Sequence, residues 1–326
     1  MAGRGSRLRP HTLTIPKPLI PIAGKPIVQR LVEDIASVCV ERITEIAFII
    51  GDFGSEIEQE LLNIAKKLGS KGTIYHQKEA LGTAHAILCA KESLQGPVIV
   101  AFADTLFRAE FNLDTSKDGI VWVQKVENPN AYGVVKITQN GVITDFIEKP
   151  TELVSSLAII GVYFFKDGIR LRKELQYLID NNIKEKGEFQ LTNALENLKN
   201  DGAKFYPGKV LEWLDCGNPS AAIYANKRIL EYTENNEPRA GLILEKSSVV
   251  EPCYIGSNVK ISNSTIGPHV SIGNNCIIKE STISNSLIQD NSTFYKADLK
   301  KSMIGSWVDY TGNSKQISVG DYSKIV

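Results

Sequence analysis

The chain of 326 residues has no net charge, since 37 lysines and arginines face 37 aspartates and glutamates. Without a basic excess it lacks the footprint of a general polyanion binder, and 43% apolar residues exclude a disordered composition. No apolar run approaches the roughly 20 residues a helix needs to cross a bilayer. The longest, Leu157-Ala-Ile-Ile-Gly-Val-Tyr-Phe-Phe165, reads as a buried strand. The basic start, Met1-Ala-Gly-Arg-Gly-Ser-Arg7, has no apolar stretch of signal-peptide length behind it. A cytoplasmic protein is expected, with neither nucleic acid nor membrane among its partners. Cys39, Cys89, Cys216, Cys253 and Cys276 lie far apart and are odd in number, which argues against a disulfide framework and for reduced, structural thiols. The histidines, His11, His76, His85 and His269, show no metal-ligand spacing.

What is present divides in two. From Ile27 to about Asn235 helical and strand periods alternate. Ile27, Leu31, Ile35 and Cys39 mark one helix face, Ile43 to Ile50 a buried strand, and Ser55 with Glu58 the capping-box start of the next helix. A strand at Thr73–Tyr75, a helix over 83–92 and the apolar run 98–103 follow, an α/β alternation that predicts a largely parallel sheet covered by helices. Tyr132–Ile137 and Val142–Ile147, joined through Asn140-Gly141, then read as a tight hairpin in a mixed insertion suited to walling a cleft.

After the polar segment 233–239, Ile255-Gly, Ile261, Ile266-Gly, Ile272-Gly and Ile278 recur at intervals of five or six. This hexapeptide period predicts a β-helix whose aliphatic side chains stack inside while glycine and asparagine turn the corners. The repeat blurs after about Leu287, so the period by itself secures only a few coils. The domains are placed at 1–235 and 241–326.

The chemistry concentrates in Gly3-Arg-Gly-Ser-Arg-Leu-Arg-Pro10, Pro16-Lys-Pro-Leu19 and Gly24-Lys-Pro26. A glycine-rich loop brings backbone N–H groups close to phosphate oxygens, and neighbouring cations stabilise polyphosphate charge. Together the three elements resemble the sugar-1-phosphate nucleotidylyltransferases, and the resemblance extends over essentially the whole chain. It implies a Rossmann-like α/β nucleotidyltransferase domain with a mixed sheet, followed by a left-handed parallel β-helix. Gly3, Gly5 and Ser6 would meet the nucleotide, and Arg7 and Lys17 would act catalytically on the triphosphate.

Further motifs fall in the family's order. Gln77-Lys-Glu-Ala-Leu-Gly-Thr83 resembles the base-recognition segment, giving Gln77, Gly82 and Thr83 as nucleotide ligands. A glutamine amide both donates and accepts, matching O4 and N3–H of uracil or thymine. Asp104 resembles the family's Mg²⁺-binding aspartate, with Ala103 in place of the usual preceding glycine. Trp213-Leu-Asp-Cys-Gly217 matches W-x-D-x-G and makes Asp215 the second metal ligand. Tyr132-Gly-Val134 and Glu148-Lys-Pro150 resemble the sugar motifs, with Gly133 and Glu148 on hydroxyls and Lys149 on the sugar phosphate. Ile159 stands where enzymes for N-acetylglucosamine often have asparagine, which favours a plain or deoxy hexose. Asn193 follows Glu188-Phe-Gln-Leu-Thr192 where many relatives have aspartate.

The resemblance implies an enzyme joining a pyrimidine nucleoside triphosphate, dTTP before UTP, to a hexose 1-phosphate such as glucose 1-phosphate, with Mg²⁺. A homo-oligomer built through the β-helix is expected. The alternatives are a non-catalytic regulatory or assembly subunit of the same fold and a bifunctional nucleotidyltransferase with an acyltransferase tail. In the family the glycine-rich loop follows a buried strand; with Met1 two residues before Gly3, a start further upstream is expected.

Overall fold

The computed structural model describes residues 5–110, 113–233, 239–312 and 316–325. Pro21–Ile22 (β1) and Lys25–Pro26 (β2) make a small antiparallel hairpin, turned at Ala23 and Gly24 with φ of 47° and 82°. Helix α1 (Ile27–Val38) buries Ile27, Leu31 and Ile35 of the predicted face, together with Val38; Cys39 lies just past its end and is half-buried. β3 (Glu45–Ile50), α2 (Ser55–Lys67) and β4 (Lys71–His76) form a β–α–β unit whose strands pair in parallel. The expected capping box is absent: Gly54, at φ 84°, is the residue before the first turn, and its carbonyl accepts from the Glu58 N–H at 3.3 Å. Ser55 thus already belongs to the helix, one position too late to cap it.

After α3 (Thr83–Cys89) come β5 (Val98–Ala101), β6 (Thr105–Arg108), β7 (Gly119–Lys125), β8 (Val134–Ile137), β9 (Ile143–Ile147) and β10 (Leu157–Phe165). Helices α4 (Gly168–Asp180) and α5 (Leu191–Asn200), strands β11 (Phe205–Lys209) and β12 (Glu212–Asp215), and helix α6 (Pro219–Tyr232) complete this region. The described residues divide into two compact units, 31–213 in one and 5–30 together with 214–325 in the other.

In the first unit the long apolar run becomes β10, the hub of a six-stranded sheet ordered β11-β7-β10-β8-β9, with β5 also on β10. Its core gathers Val121, Val123, Phe146, Ile159, Tyr163 and Phe205 under α3, α4 and α5. β3–β4 and β7–β11 pair in parallel, whereas β10 runs antiparallel to β5, β7 and β8, so the sheet is mixed. Short connections deliver strands antiparallel, whereas parallel neighbours need a crossover. The β8–β9 hairpin is also less tight than expected. Only Gly141 takes positive φ (75°), in a three-residue loop closed by Gly141 N–H to Thr138 O at 3.0 Å and Thr138 N–H to Val142 O at 2.8 Å.

In the second unit the described residues of 243–312 and 316–325 wind into a parallel β-solenoid of three sheets, with six, four and five strands. Ile255, Ile272, Ile288, Ile304 and Val319 stack along the interior of the five-stranded face. Corner residues Asn258, Asn275 and Asn291 sit at φ of 57° to 59°, joined by amide hydrogen bonds of 3.2 and 3.1 Å. The coils continue well past Leu287. Ile261 pairs with Ile278, Phe294 with Tyr310 and Tyr310 with Ile325, so successive coils take 17, then 15 to 16 residues. Shortened coils and aromatic core residues hid the repeat. On the outside of the five-stranded face Leu287 and Met303 are buried as well, because α6 lies on it, with Glu231 on His269 at 3.2 Å and Asn226 on Ser271 at 2.6 Å. None of the five cysteines is in a disulfide, and burial pushes the Cys253 and Cys276 thiols up to about 11 and about 12. Among the described residues no helix is long and apolar enough to cross a membrane.

Candidate active site

The second unit carries the residues expected to form the phosphate loop. Gly5 adopts φ 58°, and a Cβ there would lie 3.1 Å from both Lys17 Cβ and Thr12 Cγ2. Its carbonyl accepts from the Leu8 N–H at 2.9 Å and the Thr12 hydroxyl at 2.8 Å, closing the loop that carries Ser6 and Arg7. Fully buried Leu8 anchors the turn. Gly3 lies outside the described residues. At the end of β12, Asp215 and Arg7 converge above Gly217: a Cβ there would lie 2.8 Å from Asp215 Oδ1 and 3.3 Å from Arg7 Nη2. The bare glycine gives a carboxylate and a guanidinium room side by side, a setting for opposite charges on a metal and a phosphate.

The first unit carries the rest. Asp104 sits in the turn between β5 and β6, which a bulge in β10 braces. Gly161, at φ 84°, accepts from the Phe102 N–H at 2.8 Å, and the Thr105 hydroxyl donates to Ile160 O at 2.7 Å. A side chain at 161 would press on the Phe102 ring at 3.0 Å.

Gln77 is buried rather than exposed, and its Nε2 lies 3.1 Å from Gly82 O and 3.0 Å from His85 Nδ1. Those two contacts occupy both amide hydrogens and leave the carbonyl oxygen to accept from a ligand. Gly82 takes φ 116° with its Cβ position 2.4 Å from Phe189 O, so no side chain fits. The Thr83 hydroxyl accepts from the Leu191 N–H at 2.9 Å and donates to Gln190 Oε1 at 3.3 Å. Thr83 therefore clasps α3 to the start of α5.

Gly133, Glu148 and Lys149 do come together. A Cβ on Gly133 would lie 3.2 Å from Glu148 Oε2 and 3.3 Å from Ile159 Cδ1. Lys149 Nζ is 3.5 Å from Glu148 Oε1, and Lys186 Nζ reaches Lys149 O at 2.8 Å. Burial, with the Glu148 charge second, holds the Tyr163 hydroxyl far above its ordinary range and keeps it neutral.

Residues 1–232 match the family model described as nucleotidyl transferase, and 243–283 match that of the bacterial transferase hexapeptide (six repeats). The chain belongs to the nucleotidyl transferase family. It is 34% identical over 239 residues to a low-salt glycan biosynthesis nucleotidyltransferase of Haloferax volcanii, an alignment covering 70% of this chain and 64% of that protein. It is 30% identical over 263 residues to the bifunctional protein GlmU of Methanococcus maripaludis, covering 77% and 60%. Against a glucose-1-phosphate thymidylyltransferase of Streptomyces antibioticus it is 31% identical over 275 residues, covering 81% and 74%. The chain thus spans less than two thirds of the Haloferax and Methanococcus proteins. A crystal structure of UDP-glucose pyrophosphorylase with UDP-glucose matches with a TM-score of 0.58 at 25% identity, over 71% of this chain and 97% of that one.

In this member of the family, motif reading missed several supporting groups. His85 fixes Gln77, Gln190 and Thr83 lock the start of α3 to α5, and Thr192 reaches Glu148 at 3.4 Å. His85 lies eight residues after Gln77, but nothing in the spacing pairs them without the bend at Gly82. Trp213, beside the candidate metal ligand, packs edge-on to Tyr132 with ring centres 4.9 Å apart and so ties two motifs distant in sequence.

Proposed function

We propose that the chain transfers a nucleotidyl group from a pyrimidine nucleoside triphosphate, dTTP before UTP, to a hexose 1-phosphate, glucose 1-phosphate first, releasing pyrophosphate. The convergence of Arg7 and Asp215 over Gly217 carries this reading, because a guanidinium beside a carboxylate would suit a phosphate next to a metal ion. The sugar phosphate oxygen attacks the α-phosphorus, the bond to the bridging β-phosphate oxygen breaks, and no covalent enzyme intermediate forms. Arg7 and Lys17 hold the triphosphate and the charge growing on pyrophosphate; Lys149 holds the sugar phosphate and Glu148 accepts from sugar hydroxyls. Gly5, Ser6 and Gly82 offer backbone N–H groups or space to the nucleotide, and Gln77 accepts from a base N–H.

Asp104 and Asp215 would each offer a carboxylate, the hard oxygen donor that magnesium takes. When bound, the ion would neutralise phosphate charge. Residues 1–235 form the catalytic domain in this reading, 241–326 assemble copies of the chain, and the protein works in the cytoplasm. Ile159 in the wall around Gly133 favours a hexose without an acetamido group, because it offers no hydrogen bond.

Pyrophosphate release measured across four nucleotides and several sugar 1-phosphates tests the reading. A pyrimidine nucleotide with glucose 1-phosphate should be fastest. Release should require Mg²⁺, and Asp104→Asn or Asp215→Asn should lower turnover at least about a hundredfold. Unchanged turnover in either variant removes that residue from the metal site. Acetyl transfer to a hexosamine phosphate would point instead to the bifunctional alternative.

A further inference from the structure

The phosphate loop is bound to the solenoid at several places within the second unit. At one end, Gly24 lies against the Tyr254 ring, which a Cβ would meet at 2.3 Å. Nearby, Asn226 Oδ1 accepts from both the Ala23 N–H at 2.9 Å and the Ser271 hydroxyl at 2.6 Å. At the other end the terminal coil takes hold of residues 10–14. His11 is fully buried, with Nε2 3.0 Å from Ser318 Oγ. The Thr14 hydroxyl donates to one oxygen of Asp321, whose other oxygen accepts from the Ser306 N–H at 2.7 Å. Gly320 comes so close to Pro10 that a Cβ would lie 2.8 Å from Pro10 Cβ, nearer than such atoms approach.

These contacts flank the residues of the proposed chemistry. Pro10 to Thr14 lies between Arg7 and Lys17, and Thr12 within it bonds to the Gly5 carbonyl. A shift of 10–14 therefore moves Gly5 through that bond and Lys17 through the chain. The coil that supplies Ser318, Gly320 and Asp321 is itself fixed by the ladder: Met303 pairs with Ser318, and Ile304 with Val319.

We propose that the terminal coil is a positioning element for nucleotide binding, with Gly320 and Ser318 setting the place of the phosphate loop. As a statement about catalysis this rests on the nucleotidyl-transfer reading; as a statement about the loop it does not. Gly320 lacks a positive φ, so alanine there disturbs Pro10 rather than the backbone. Ser318 is exposed, so its loss leaves the solenoid core untouched.

The test uses the full chain and two readouts. In hydrogen exchange, the Leu8 and Leu13 amides, bonded to Gly5 O and Pro10 O, should exchange faster in Gly320→Ala. In steady-state kinetics, Gly320→Ala should raise the nucleotide KM about tenfold and Ser318→Ala less, with the sugar 1-phosphate KM unchanged. Ser318→Thr, which keeps the hydroxyl, should restore wild-type behaviour, and Lys324→Ala on the same coil should do nothing. Unchanged loop exchange in Gly320→Ala overturns the proposal whatever the activity, as does a nucleotide KM that moves equally in Lys324→Ala. Faster loop exchange in Gly320→Ala, together with a wild-type chain that releases no pyrophosphate from any nucleotide, upholds the loop contact and overturns the reading of function.

Discussion

His11 is the buried histidine whose environment reaches stability near neutral pH. Burial pushes its pKa down to about 4, against the pull of the Asp321 carboxylate, and Nδ1 meets no partner among the described residues. The imidazole is therefore neutral in the folded chain at neutral pH. Between the ordinary value near 6.5 and about 4, the unfolded chain binds a proton that the folded one refuses. Stability then falls as pH drops through that window and levels off below it. The loss is on the order of 3 kcal/mol for a shift of that size. Urea unfolding of wild type and His11→Leu at pH 7, 5.5 and 4 should show the variant losing less; parallel curves would refute the assignment. None of this was legible in the sequence, where His11 showed only a lack of metal-ligand spacing. Its environment is made by Ser318 and Asp321, some 300 residues away. Gln77 was legible as a candidate, but its burial and its bond to His85 depend on the bend at Gly82.

At the scale of elements, Asn226 on α6 joins the β1–β2 hairpin to the solenoid by accepting from two donors in a site closed to solvent. Asn226→Leu leaves the Ala23 N–H and the Ser271 hydroxyl buried without that acceptor, at about 1–3 kcal/mol for each. The variant should unfold at markedly lower urea, and adding Ser271→Ala should recover part of the loss. Equal stability of single and double variants would show that the hydroxyl is satisfied elsewhere. The hairpin also shows where sequence reasoning stops. Gly24-Lys-Pro26 is readable as a motif, yet the reason for its glycine is the ring of Tyr254. The alternation of β3, α2 and β4 was readable because it is local. The antiparallel setting of β10 was harder to see, because strand direction follows from connection length and not from hydrophobic pattern.

For the whole molecule, the first coil of the solenoid exposes Ile243, Leu244 and Val250, each at 44–45%. Apolar side chains at the open end of a stack of parallel strands, whose backbone groups have no further coil to pair with, favour association with another copy. Light scattering should give more than one chain per particle at micromolar concentration, and Leu244→Lys should lower that number. A monomeric wild type would remove the solenoid as an assembly surface. The loop from Pro10 to Gly24 sets another limit. It touches Tyr254 on the first strand of the five-stranded face and Gly320 just past the last. Neighbouring strands stand about 4.8 Å apart, so the loop bridges four steps, about 19 Å. The coils thus act as a ruler with whole-number marks. One coil more or fewer would miss the far contact by a full mark, which a loop of fixed length cannot absorb, so the number of coils is tied to the spacing of the glycine-rich motifs.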